Sequence, residues 1–145
     1  MIKCKNCKKE FKDYEDWGMM YESLFCSDEC ANTYKEKTNF ICWFRQIQKE
    51  VYQTATEKGW WNVEREIGTQ IALMHSELSE ALEGIREDKR SDKIPEFLAI
   101  EEEFADVIIR IMDTSEYYEY RVAEALIAKM KYNKNREYRH GGKKF

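Results

Sequence analysis

The chain has 145 residues, 43% of them hydrophobic and 14% aromatic, which is enough to bury the core of one ordinary domain with a small appendage. The formal net charge of −4 argues against a protein that coats nucleic acid through general positive charge. No apolar run approaches a membrane span and no signal peptide opens the chain, so we expect a cytoplasmic protein without membrane association.

Four of the five cysteines form two closely spaced pairs near the N-terminus. Two residues separate Cys4 from Cys7, and eighteen residues later three separate Cys26 from Cys30. Each pair can place two thiolates on one tetrahedral Zn²⁺ ion. We therefore expect residues 1–38 to form a Cys4 zinc finger with a structural zinc ion, with disulfides and free thiols as the alternatives.

The second cysteine pair opens a predicted short helix, for which Ser27 is a suitable N-cap. A zinc knuckle followed by a helix that carries the last ligands resembles a treble-clef zinc finger. Between Met1 and Lys37 the chain holds seven lysines and eight acidic residues, an unfavourable balance for reading DNA. A structural or partner-docking role is therefore favoured over nucleic-acid contact and over regulation of the neighbouring domain.

The rest of the chain predicts an all-α bundle. The predicted helices run from Ile41 to Lys58, from Val63 to Glu87, from near Pro95, and from after Ser115 to Asn133. Gly59 is a typical residue to end the first helix. Cys42 lies in an apolar run and is expected to be a buried thiol. In the second helix a stripe at steps of three and four is expected to be buried: Ile67, Ile71, Met74, Leu78, Leu82 and Ile85.

Two carboxylate motifs lie in the second and third predicted helices. Glu77 and Glu80 are three residues apart, as are Glu103 and Asp106, so each pair shares one helix face. Two such helices packed together would bring four carboxylates close to one another, which requires a cation such as Mg²⁺. Solvated helix faces are the alternative. One turn beyond Asp106, Arg110 would place a positive charge beside the cluster.

These motifs also resemble a known family. The runs Ile71-Ala72-Leu73-Met74-His75-Ser76-Glu77-Leu78-Ser79-Glu80 and Glu102-Glu103-Phe104-Ala105-Asp106, with Lys129-Met130-Lys131-Tyr132-Asn133-Lys134-Asn135-Arg136 near the end, are similar to the MazG-like all-α nucleoside triphosphate pyrophosphohydrolases. The resemblance covers residues 39–145 and leaves out the zinc segment. Ser76 departs from the pattern, since many members have a glutamate there.

The resemblance implies an enzyme that cleaves a (deoxy)nucleoside triphosphate to the monophosphate and pyrophosphate. It implies Mg²⁺, with Mn²⁺ as a substitute, on Glu77, Glu80, Glu103 and Asp106. One of these, or Glu83, would act as general base. The residues expected to bind substrate are Trp60, Trp61, Arg110, Lys129, Tyr132, Asn133 and Arg136. The alternative is an inactive nucleotide-sensing or adaptor module.

Alternatives stand beside several of these roles. Trp60 and Trp61 could stack on the nucleobase, or one of them could fill the join between helices. Arg110 could contact phosphate or pair with Asp106 or Asp113. The basic C-terminal stretch, with a hinge at Gly141-Gly142, could close over the triphosphate, bind nucleic acid or be solvated. A chain with so few helices does not easily enclose a nucleotide. We therefore expect a homo-oligomer, either a dimer or a tetramer.

Overall fold

The computed structural model describes residues 1–11 and 24–138. The described elements are, in chain order, β1 (Ile2–Lys3), β2 (Glu10–Phe11), α1 (Asp28–Glu57), α2 (Ile67–Arg86), α3 (Ala99–Tyr117) and α4 (Val122–Lys134). The two strands form an antiparallel hairpin in which Lys3 pairs with Glu10. Each strand has only two residues, so the predicted all-α class is confirmed.

The chain divides into two compact units. The N-terminal unit comprises the described parts of Met1–Phe44 and Ala123–Phe145, and the central unit is Arg45–Val122. This division follows spatial contacts, and the predicted domain boundary between residues 38 and 39 stays a prediction. The predicted hinge at Gly141-Gly142 lies outside the described residues.

Helix α1 is one continuous helix of 30 residues where two shorter helices were expected. The Ser27 hydroxyl accepts a hydrogen bond of 3.2 Å from the backbone N–H of Cys30, which confirms the predicted N-cap. No glycine or proline interrupts residues 28–57, so the helix runs through the expected break. Just after its end, Gly59 adopts φ = 81°, the left-handed conformation expected of it.

The prediction that Cys42 is buried is wrong. The Cys42 thiol is exposed, and the neighbouring Trp43 is 59% exposed, whereas Phe44 and Gln48 are buried. The apolar run of residues 40–44 covers more than one helical turn, so its side chains point in all directions around α1. An apolar run in a long helix therefore does not identify its buried face.

Helices α2 and α3 form an antiparallel hairpin in the central unit. At the end nearest their connecting loop, Gly84 meets Ala99 so closely that a Cβ atom on Gly84 would lie 2.8 Å from the Ala99 Cβ. Further along, Glu77 on α2 contacts Arg110 on α3. The two helices therefore approach through small residues at one end and charged residues in the middle.

The expected apolar stripe does not form this contact. The buried residues of α2 are Gln70, Glu77, Ala81 and Gly84. The exposed large residues of the stripe are Ile67, Ile71, Leu78, Leu82 and Ile85. On α3, Phe104 and Ile108 are about half exposed as well, at 49% and 52%. The burial prediction is wrong because α2 turns its small and acidic face, rather than its apolar face, toward α3.

The two remaining helix starts also differ from expectation. Pro95 lies in the loop before α3 rather than in its first turn, and α3 begins where the N–H of Leu98 donates a 2.7 Å hydrogen bond to Glu101. Thr114 and Ser115 are buried within α3 instead of preceding the last helix. The loop predicted for residues 88–94 therefore extends over residues 95–98, which the sequence pattern assigns to the start of the third helix.

Within the described residues, no helix is both long enough and apolar enough to cross a membrane.

Candidate metal centres

Three of the four predicted carboxylate ligands converge in the central unit. Carboxylate oxygens of Glu77, Glu80 and Glu103 all lie within 4.8 Å of one another. Glu77 and Glu103 are buried and Glu80 is exposed, so the group has one open side. The two helices supply these side chains because Glu77 and Glu80 are one turn apart on α2, opposite Glu103 on α3.

Glu103 carries the clearest sign of a missing partner. It is 8% exposed, and its Oε2 atom is buried without any hydrogen-bond partner. Burial, followed by the adjacent Glu77 carboxyl and the charges of Glu80 and Glu102, raises the pKa of Glu103 to about 7. A buried oxygen without a partner among other carboxylates is a favourable ligand for a hard cation.

Asp106 lies at the border of this group rather than inside it. Its oxygens are not among those within 4.8 Å. Burial and the charge of Glu77 raise its pKa, while Lys93 and Arg110 lower it. Asp106 therefore shares the electrostatic environment of the cluster, and its assignment as a ligand stays a prediction.

Arg110 pairs with the cluster itself. Its guanidinium lies 2.6 Å from Glu77 Oε1, and its Nε donates a 2.7 Å hydrogen bond to the same oxygen. The positive charge expected beside the carboxylates is present, but its partner is Glu77 rather than Asp106 or Asp113. Arg110 thus neutralises one of the converging carboxylates.

Sequence reasoning missed a second cation at this site. Lys93, in the loop before α3, lies 2.8 Å from Glu102, whose side chain is only 10% exposed. The hydrogen bond from Lys93, followed by one from Ser91, lowers the pKa of Glu102. The only signal available was the run of three acids Glu101-Glu102-Glu103 after a loop with three basic residues, which does not specify a pairing.

The two tryptophans after α1, Trp60 and Trp61, have different surroundings. Trp61 stacks on Tyr117 with ring centroids 4.0 Å apart, and its Nε1 donates a 2.7 Å hydrogen bond to Asp113. Trp60 is 54% exposed, with the Arg65 guanidinium 5.5 Å from its ring centroid. These contacts favour Trp61 as the residue that fills the join between helices, and they leave Trp60 accessible.

The predicted phosphate-binding residues of the C-terminal stretch cluster on and just after α4, in the N-terminal unit. The Lys129 ammonium and the Arg136 guanidinium lie 4.8 and 5.5 Å from the Tyr132 ring centroid. Arg136 also donates a 3.4 Å hydrogen bond to Asn133. The four residues therefore form one basic, aromatic surface, and their contact with substrate stays a prediction.

The four paired cysteines converge in the N-terminal unit. Their sulfur atoms all lie within 4.8 Å of one another, and both the Cys7–Cys26 and the Cys26–Cys30 separations are 3.5 Å. Tetrahedral zinc with bonds of about 2.3 Å would hold sulfurs about 3.8 Å apart. A disulfide needs about 2.05 Å. The distances therefore fit a shared metal ion such as zinc.

The surroundings of Cys4 and Cys26 shift the pKa values of the two thiols in opposite directions. Burial opposes ionisation of Cys4, but N–H groups of Cys7, Cys26 and Asn6 outweigh it and lower the Cys4 pKa to about 6. Hydrogen bonding to Cys30 and then to Cys7 raises the pKa of Cys26 to about 12. The backbone thus favours the Cys4 thiolate, whereas ionising Cys26 requires a cation.

The first cysteine turn is held in place by its own backbone and by α1. The Lys8 N–H donates to the Cys4 carbonyl at 3.0 Å, with Lys8 itself in the left-handed region at φ = 66°. Lys37 on α1 donates a 2.9 Å hydrogen bond to the Asn6 side chain. The helix that contributes Cys30 therefore also fixes the turn that contributes Cys4 and Cys7.

Comparison with known proteins gives no match: no family model, no curated protein and no solved structure is detectably similar to this chain.

Proposed function

We propose that the central unit is the metal-binding core of a Mg²⁺-dependent nucleoside triphosphate pyrophosphohydrolase of the MazG-like class. The observation that carries the proposal is the buried, unpartnered Oε2 of Glu103 beside Glu77 and Glu80. Buried carboxylates repel one another, and a divalent cation relieves that repulsion. The ligands are all oxygens, which suits Mg²⁺ or Mn²⁺.

In this proposal Glu77, Glu80 and Glu103 hold the metal, and Asp106 completes the set. Bound Mg²⁺ would screen the triphosphate and lower the pKa of the attacking water. Hydrolysis adds water across the bond between the α phosphorus and the αβ bridging oxygen, giving the monophosphate and pyrophosphate. A carboxylate of the cluster accepts the proton released by the attacking water. The exposed Trp60 ring is the proposed base contact.

The proposed enzyme is tested by pyrophosphate release across canonical and modified ribo- and deoxyribonucleoside triphosphates, with Mg²⁺ and with Mn²⁺. We expect release by the wild type and a loss of at least about a hundredfold in Glu103→Gln, which keeps the shape but removes the charge. Glu57→Gln is the matched control, since Glu57 is exposed on α1 in the same unit and accepts a 2.8 Å hydrogen bond from Gln53. Equal activity in the two variants would contradict the metal assignment.

A nucleotide-binding adaptor is the second candidate, and one contact favours it. Arg110 already neutralises Glu77, so part of the charge that a catalytic metal would balance is balanced within the chain. An adaptor would bind nucleotide without turnover. Nucleotide binding by the wild type, with no pyrophosphate released from any triphosphate, would decide for the adaptor.

We propose that the four cysteines bind structural zinc in a treble-clef-like finger. Support comes from the hairpin of β1 and β2, the turn with Cys4 and Cys7, and the helix that carries Cys30. The zinc would stabilise this small segment, because segments of this size rarely fold without a bound metal or a disulfide. Docking a partner is the other proposed role of the finger.

We also propose that the chain assembles as a homo-oligomer, a dimer or a tetramer. The half-exposed apolar residues of α2 and α3 would be costly to leave in water, at roughly 25 cal/mol per Å² of apolar surface. An antiparallel helix pair with an outward apolar face is half of a helical bundle, and a second copy would complete it.

A further inference from the structure

Lys93 lies on a loop whose backbone is held by several hydrogen bonds. The Ser91 hydroxyl accepts hydrogen bonds from the backbone N–H groups of Lys93 and Ile94 at 3.2 and 2.8 Å. The Ser91 N–H donates to the Phe97 carbonyl at 3.1 Å, and Ser91 is 4% exposed. The loop that connects α2 to α3 thus closes around one buried serine, which fixes the backbone position of Lys93.

The side chain of Lys93 pairs with a buried glutamate that does not contribute any of the converging carboxylate oxygens. Its ammonium lies 2.8 Å from Glu102 Oε1. Glu102 directly precedes Glu103 on α3, so the ammonium is also attracted by the charges of Asp106 and Glu103. Lys93 is therefore held beside the converging carboxylates by a residue that is not one of them.

The ammonium is nevertheless accessible. The Lys93 side chain is 73% exposed, in contrast to 10% for its partner Glu102. An ammonium has three N–H donors, and the Glu102 oxygen takes one of them. An exposed, pre-positioned cation beside a carboxylate group is suited to an anion that arrives from solvent.

We propose that Lys93 is a substrate-contacting residue that binds the phosphates beyond the first one of a nucleoside triphosphate, with Glu102 as its positioning residue. This inference rests on the proposed function, because it needs a polyphosphate at the carboxylate cluster. The carboxylates themselves repel phosphate, so a protein cation beside them adds to the attraction that bound Mg²⁺ would supply for the phosphates beyond the first. Arg110 is engaged with Glu77, whereas Lys93 has donors directed to solvent.

A simple structural ion pair is the competing explanation, and Lys89 offers a matched control. Lys89 lies in the same loop with a side chain 60% exposed, and it pairs with Glu87. The charges acting on Lys89 are those of Glu87, Asp92 and Glu83, none of which belongs to the carboxylate cluster. Lys93→Met and Lys89→Met therefore remove the same charge from one loop at different distances from the site.

The experiment measures KM and kcat for the triphosphate with Mg²⁺, and the affinity for inorganic tripolyphosphate and for a nucleoside monophosphate by calorimetry. Lys93→Met should raise KM and weaken tripolyphosphate binding by about tenfold to a hundredfold, the loss expected for one charge-assisted contact, with little effect on monophosphate binding. Lys93→Arg should restore most of the affinity, Glu102→Gln should be intermediate, and Lys89→Met should match the wild type.

The outcomes separate this inference from the proposed function. If the wild type releases pyrophosphate and Lys93→Met has the same KM, the role of Lys93 is wrong and the enzyme stands. If the wild type releases none, tripolyphosphate binding decides: a weakening confined to Lys93→Met still supports the contact. Equal binding by both lysine variants, or no binding by the wild type, would overturn it. Equal weakening for monophosphate would place Lys93 away from the distal phosphates.

Discussion

The Arg110 guanidinium contacts a single oxygen of Glu77 twice, at 2.6 Å and through an Nε–H donor at 2.7 Å. Glu77 is one of the three carboxylates whose oxygens converge. The positively charged Arg110 side chain therefore already contacts one oxygen of the candidate metal centre. Metal binding at this group must share that oxygen, use the other one, or displace the arginine.

Replacing Arg110 should destabilise the metal-free protein and increase its dependence on Mg²⁺. Arg110→Met leaves a buried carboxylate without its charged partner, which should lower the free energy of unfolding by about 1 to 3 kcal/mol. Chemical denaturation with and without Mg²⁺ measures this, and added Mg²⁺ should recover more stability in the variant than in the wild type. Arg86→Met removes only an exposed pair with Glu83 and should change little. Equal Mg²⁺ effects in both variants would contradict the link between Arg110 and the metal.

The metal-free protein should lose stability as the pH rises through the range of the Glu103 carboxyl. Its pKa is about 7 in the folded chain against an ordinary value of 4.5. Between these values the folded state binds more protons than the unfolded state, so stability falls with rising pH. Thermal melts without added Mg²⁺ from pH 5 to 8 should show this fall, and Glu103→Gln should flatten it. A melting temperature with the same pH profile in both proteins would show that Glu103 does not titrate in this range.

Purified protein should carry about one zinc ion per chain, as four convergent thiolates predict. Cys26→Ser removes a sulfur that lies 3.5 Å from two others, so zinc content by elemental analysis should fall sharply. Cys42→Ser is the control, since Cys42 is exposed on α1 and outside the group. Loss of zinc from both variants alike, or its absence from the wild type, would refute the assignment.

Two glycines of α2 should respond oppositely to alanine. A Cβ on Gly84 would meet the Ala99 Cβ at 2.8 Å, so Gly84→Ala should destabilise the helix pair by about 1 to 3 kcal/mol. Gly68 has nothing within 4 Å of an added Cβ, so Gly68→Ala should be neutral or stabilise by up to about 1 kcal/mol. Unfolding in denaturant compares the two. A destabilisation of the same size at both positions would show that helix packing at Gly84 is looser than described.

The exposed apolar stripe of α2 should hold copies together. Leu82 and Ile85 are 50% and 57% exposed, and replacing both with arginine should shift the chain from oligomer to monomer in light scattering. His75→Arg, also an exposed change on α2, should leave the assembly unchanged. A wild type that is monomeric at tens of micromolar would rule out this interface.

Several features follow from local sequence alone. The Ser27 cap, the left-handed Gly59 and the all-α class were predictable because capping and helix termination depend on neighbouring residues. The cysteine spacing likewise predicted four convergent sulfurs, since only two or three residues separate the members of each pair. These predictions needed no knowledge of which helices touch.

Which faces touch was decided only by the tertiary structure. An amphipathic pattern shows that Leu78 and Glu77 point in different directions from α2, but not which of them meets α3. The contact between Gly84 and Ala99 brings the backbones close and turns the acidic face inward, which buries Glu103 and pairs Arg110 with Glu77. Long-range pairings of this kind depend on helix rotation and on the hydrogen-bonded loop around Ser91. Neither leaves a periodic signal in the sequence, so the carboxylates could be listed in advance while their partners could not.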